Sequence, residues 1–124
     1  MNKQRPVNLD LTTISFPVTA ISSILHRITG VFLVIGIPVL LWMLATSLSS
    51  KEGFSQISQF LATGLGSFVL WAILTAIAFH IIAGVRHLLM DAGIGESLEG
   101  GMRGAKIVLV LAVLAAIGLG VWIW

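Results

Sequence analysis

Of 124 residues, 57% are apolar and 10% charged, the formal charge is +2, and there is no cysteine. Too few polar groups remain to cover a water-facing surface, so a soluble domain is excluded and the chain reads as a membrane protein. The missing thiols exclude disulfides, thiolate zinc sites and iron-sulfur clusters bound by this chain alone.

In chain order, residues 1 to about 20 form a polar-to-mixed lead with Lys3, Arg5, Pro6, Asp10 and Pro17. It has neither the short apolar core nor the cleavage site of a signal peptide, so the first span directs insertion. The prolines predict an irregular strip suited to docking. Three apolar runs follow, Ile28 to Leu48, Phe60 to Val85 and Ile107 to Trp124, with His80 their only ionisable side chain. A membrane span needs about 20 such residues. Their continuity, without the alternation of barrel strands, predicts an all-α membrane protein. The expected helices are about 22–49, 58–90 and 105–124, in a single membrane-anchor domain over 1–124.

Between the runs, SLSSKEGFSQ (47–56) reads as a polar loop. GIGESLEGGMRGAK (93–106) reads as a glycine-rich loop. It lacks the preceding strand and the Gly-Lys-Ser/Thr ending of a phosphate cradle. Lys3, Arg5 and Arg27 precede the first span, and Arg86, Arg103 and Lys106 surround the second connection. Only Lys51 lies in the first connection. The positive-inside rule then predicts a cytoplasmic N-terminus and an external C-terminus, with Trp122 and Trp124 at the outer interface. The small positive charge fits this topology and contact with anionic lipid, and calls for no nucleic acid.

Two short segments carry the candidate chemistry. In HIIAGVRHLLMD, His80, Gly84, His87 and Asp91 are four, three and four residues apart, which puts them on one stripe of a helix. Gly84 would let a flat macrocycle approach the backbone, with His80 as an axial iron ligand and His87 or Arg86 near its propionates. The same residues also suit a histidine hydrogen-bonded to a neighbouring helix, a glycine used in packing, and an interfacial Arg86 and Asp91. In SILHRITG, Ser23, His26, Arg27 and Gly30 are spaced to share one side of the first helix. Singly, Ser23 reads as a helix cap, and His26 and Arg27 as headgroup contacts. Together, the two segments predict one polar pocket between helices one and two.

SILHRITG followed some fifty residues later by HIIAGVRHLLMD resembles the cytochrome b556 membrane-anchor subunits of succinate dehydrogenase, respiratory complex II. The resemblance covers nearly the whole chain, although the lead reads RPVNLDLTTISFP where many members follow Arg-Pro with Ser-Pro-His. It implies a bacterial cytoplasmic (inner) membrane location. It also implies a second small haem-binding anchor as partner, and flavoprotein and iron-sulfur subunits carrying FAD and the clusters. Haem b is the implied cofactor and ubiquinone the implied substrate. By matching position, His80 resembles the axial haem ligand, and His26, Arg27 and His87 resemble residues near the propionates. Ser23, Ile24 and Arg27 resemble the quinone site, while Gly84 and Asp91 take supporting places.

Quinone reduction takes two electrons and two protons, so it needs hydrogen-bond donors and positive charge at the quinone oxygens. Ser23 and Arg27 supply both. Two alternatives remain: within the same redox class, an anchor of the fumarate reductase type using menaquinone, and in a different class, a non-redox transporter or assembly protein whose His and Arg line an ion path.

Overall fold

The computed structural model describes residues 16–124. The lead's Lys3, Arg5, Pro6 and Asp10 therefore lie outside the described residues. The elements are α1 (Val18–Ser49), α2 (Lys51–Leu61), α3 (Gly64–Asp91) and α4 (Leu98–Ile123), with no strand among the described residues. Helices α1, α3 and α4 are each long and apolar enough to cross a membrane. In lipid a helix satisfies its own backbone, which is why these runs take this form.

Three boundaries differ from the sequence expectation. Helix α1 begins at Val18, directly after Pro17, so Ser23 lies inside the helix and caps nothing. The loop expected at 47–56 is instead the end of α1, a break at Ser50 and the start of α2. The side chain of Ser50 accepts from Gly53 N at 2.9 Å, and Gly53 and Ile57, four residues apart, bury one face of α2. A second break then separates α2 from α3, where Thr63 Oγ1 accepts from Gly66 N at 3.0 Å. The glycine-rich segment 93–106 is mostly helical as well. Ser97 caps Gly100 N at 2.9 Å and starts α4. Only residues 92–97 connect, with Gly93 and Gly95 at φ of +86° and +73°, where a side chain would be strained.

Helix α3 packs against both α1 and α4. On α1 the buried and half-buried positions Ser22, His26, Thr29, Leu33, Gly36, Leu40 and Met43 recur at alternating steps of four and three residues. This is the spacing of a helix-pairing seam. Leu33 packs with Ile73 and Ala76 of α3, and a Cβ at Gly36 would come within 3.3 Å of Ile73 Cγ2. Because lipid tails are as apolar as the helices, close approach at small residues holds such pairs together. Further along α3, on an adjoining side, Phe79 and Ala83 pack on Val108 of α4. Near the other end of this pair, Trp71 Nε1 donates to Ala116 O at 2.8 Å. Large outward residues such as Val34, Leu41, Val110, Ile117 and Val121 stay exposed, as expected of surfaces turned to lipid or to another membrane chain.

Candidate functional site

The seam brings the two motifs together. His26, one turn before Gly30 on α1, stacks on His80 of α3 with ring centroids 4.1 Å apart and planes 10° from parallel. His87, two turns beyond His80, tilts against His26 at 5.0 Å. All three are half-buried. Gly30 makes the approach possible: a Cβ there would stand 3.1 Å from His80 Cε1. At Gly84 a Cβ would meet His26 Nε2 at 3.5 Å, an ordinary contact, so Gly30 is the tighter of the two glycines. The His80 Nδ1 lies 3.1 Å from both the His26 carbonyl oxygen and Thr29 Oγ1.

Other expected residues sit apart from this cluster. Ser23 is half-buried, whereas Ile24 and Arg27 are exposed, off the seam. Ser23 and Arg27 are four residues apart and so share one face of α1. Arg27 lines a shallow cleft with Ile28, Val31 and Phe32. Asp91 is exposed at the last residue of α3. Where α1 and α3 meet, the imidazoles of His26, His80 and His87 lie against one another. A cleft of about 690 Å³ opens beside them between α1, α3 and α4, and its lining is apolar but for side chains such as Thr29 and Thr75.

Arg86 corrects the interfacial reading. It is only 9% exposed, and its Nη2 donates to Gly101 O at 3.1 Å across to α4. A Cβ at Gly104 would stand 3.2 Å from its Nε. The guanidinium thus joins the C-terminal part of α3 to the N-terminal part of α4. Thr29 and Ser22 were also unmarked by motif reading, and Ser22 is fully buried. The signal that finds both is the alternating four-and-three seam through His26.

The stacked rings limit the chemistry. A metal held by several imidazoles needs lone pairs that converge at about 2.0–2.1 Å from the ion. The lone pairs of His26 and His80 lie in nearly parallel planes, and no group of three or more His, Asp or Glu able to hold a metal ion occurs among the described residues.

Comparison with known proteins agrees with these features. Residues 1–119 match the family model described as succinate dehydrogenase/fumarate reductase transmembrane subunit. The chain is 43% identical to the succinate dehydrogenase cytochrome b556 subunit of Coxiella burnetii over the full length of both. It is 33% identical to the cytochrome b556 subunit of Paracoccus denitrificans, over 91% of this chain and 87% of that one. Against the human mitochondrial cytochrome b560 subunit it is 30% identical, over 96% of this chain and 72% of that one. Three membrane-length helices, paired histidine motifs and a match over nearly all its residues make this chain a member of the succinate dehydrogenase/fumarate reductase transmembrane-subunit family, a membrane anchor of the cytochrome b kind.

Proposed function

We propose that the chain binds haem b and ubiquinone at one end of the bundle, and so completes a complex that passes electrons from succinate oxidation to ubiquinone. The observation that carries this reading is the engagement of His80. Its Nδ1 is held within the chain, while no hydrogen-bond partner to Nε2 occurs among the described residues. An iron-ligating histidine has this arrangement, one nitrogen on a carbonyl and the other free. The donor set thus fits a haem. His80 would ligate the iron, and His26, His87 and Arg27 would face the propionates. Haem b, when bound, supplies a one-electron store beside the quinone.

His26 is engaged in stacking on His80. A second imidazole for the haem would come from a second small membrane anchor. Ser23 and Arg27, with Ile24 beside them, face outward from α1, where such a partner and the iron-sulfur subunit would close a quinone pocket. Ser23 would donate to a quinone oxygen, and Arg27 would hold positive charge beside it. The flavoprotein and iron-sulfur subunits, with FAD and the clusters, would sit at the same end, in a bacterial cytoplasmic membrane.

The test is the reduced-minus-oxidised spectrum of the assembled complex, with His80→Leu and His87→Leu compared. At ~1.5 Å per residue His80 lies roughly 10 Å deeper along α3 than His87. His80→Leu is expected to abolish or alter the low-spin haem signal, and His87→Leu to leave the ligation intact. A retained signal in His80→Leu with loss in His87→Leu reverses the assignment, and no b-type signal in the intact wild-type complex overturns the haem reading.

A further inference from the structure

Thr29 sits between His26 and Gly30 on α1, half-buried, with its hydroxyl at the centre of the histidine cluster. Its Oγ1 donates to the His26 carbonyl oxygen at 2.9 Å. With its one proton used there, Thr29 turns oxygen lone pairs toward His80 Nδ1, 3.1 Å away. The His26 carbonyl, also 3.1 Å from that nitrogen, can only accept. An Nδ1 without a proton would set its lone pair against two oxygens at once. The geometry therefore demands Nδ1–H, and in a neutral imidazole that leaves the lone pair on Nε2.

We propose that Thr29 is a positioning residue for His80: its hydroxyl, oriented by the His26 carbonyl, shares the Nδ1 proton in a three-centre hydrogen bond and presents Nε2 as the ligating nitrogen. The proposal rests on His80 as the haem ligand. The same pair of acceptors fixes the ring's rotation, because His80 must turn Nδ1 toward α1 to meet both oxygens. Gly30 then closes on Cε1 and limits how far the ring can swing. Accepting from Nδ1–H also pushes electron density toward Nε2, and a stronger donor nitrogen favours the oxidised iron.

The experiment compares Thr29→Val and Thr29→Ser in the assembled, detergent-solubilised complex, reading haem affinity, midpoint potential and the low-spin spectrum. Loss of an outer-shell partner costs about 10- to 100-fold in metal affinity. Thr29→Val keeps the branched shape and the His26 carbonyl remains, so a loss near tenfold is expected, with the midpoint potential moved in the positive direction. Thr29→Ser keeps the acceptor and is expected to match wild type in both. Unchanged affinity and potential in Thr29→Val overturn the proposal. Equal losses in both variants also overturn it, since they assign the effect to side-chain shape. Should Thr29→Val fail to assemble, Thr29→Ala against Thr29→Ser makes the same comparison. The reading beneath it fails by a different sign: His80→Leu would then keep the wild-type low-spin spectrum.

Discussion

At the scale of single residues, the histidine seam and the outer face of α1 are separate surfaces. His26, Thr29 and His80 hydrogen-bond to one another inside the bundle, whereas Ser23 is half-buried beside that seam and Arg27 is exposed. If Ser23 and Arg27 serve the quinone, their loss must be selective for that step. Ser23→Ala removes a hydrogen bond to an oxygen that gains negative charge, worth about 1.5–3 kcal/mol, or roughly ten- to a hundredfold in rate when felt fully in the transition state. Arg27→Leu removes a fixed positive charge from the same face and is expected to cost at least as much. Rates with ubiquinone and with an artificial acceptor that takes electrons from the soluble subunits, measured on the same membranes, check this. The first rate is expected to fall in both variants and the second to hold. Normal ubiquinone reduction in both variants, with the complex assembled, removes the pair from the site.

At the scale of elements, the corner between α2 and α3 is the least forgiving place in the described fold. A Cβ at Gly66 would run into the carbonyl oxygen of Phe60, which is backbone and cannot rotate away. At Gly64, in the first turn of the same helix, a Cβ would meet nothing within 4 Å. Gly66→Ala is therefore expected to destabilise by about 1–3 kcal/mol, as overpacking does. Gly64→Ala should be neutral or stabilising by up to ~1 kcal/mol, because alanine restricts the unfolded chain. Thermal unfolding of the purified complex checks the contrast, and equal midpoints for the two variants would show that the corner yields. This corner also marks what the sequence could and could not tell. The three spans were legible because twenty apolar residues in lipid have one solution. Helix α2 was not, since its polar composition resembles a loop and only Gly53 and Ile57 betray its buried face. The start of α4 was hidden by glycines whose helix depends on the Ser97 cap. At the site, the 80-84-87 spacing rightly put two histidines on one stripe, but Thr29 and Arg86 owe their places to a facing helix, which no single segment encodes.

At the scale of the whole molecule, the fold gathers charge at one end. The N-terminal end of α1, the C-terminal end of α3 and the N-terminal end of α4 meet, as the Arg86 to Gly101 hydrogen bond and the approach of Thr19 to Gly101 require. Arg27, Arg86, Arg103 and Lys106 all belong to that end, and Lys51 stands at the start of α2 at the other. Because lysine and arginine near short loops set orientation, the histidine end is expected in the cytoplasm. With His80 as the proposed haem ligand, the hydrophilic subunits are expected to dock on that side, since electrons entering from the other would have to cross the hydrocarbon layer. The chain has no cysteine, so Lys51→Cys and Arg103→Cys each introduce a single reactive thiol. Both positions are exposed. A membrane-impermeant maleimide is expected to label position 51 in intact cells, and position 103 only after the membrane is opened or inverted. The reverse pattern would turn the bundle over and move the docking face and the proposed quinone and haem sites to the outside together.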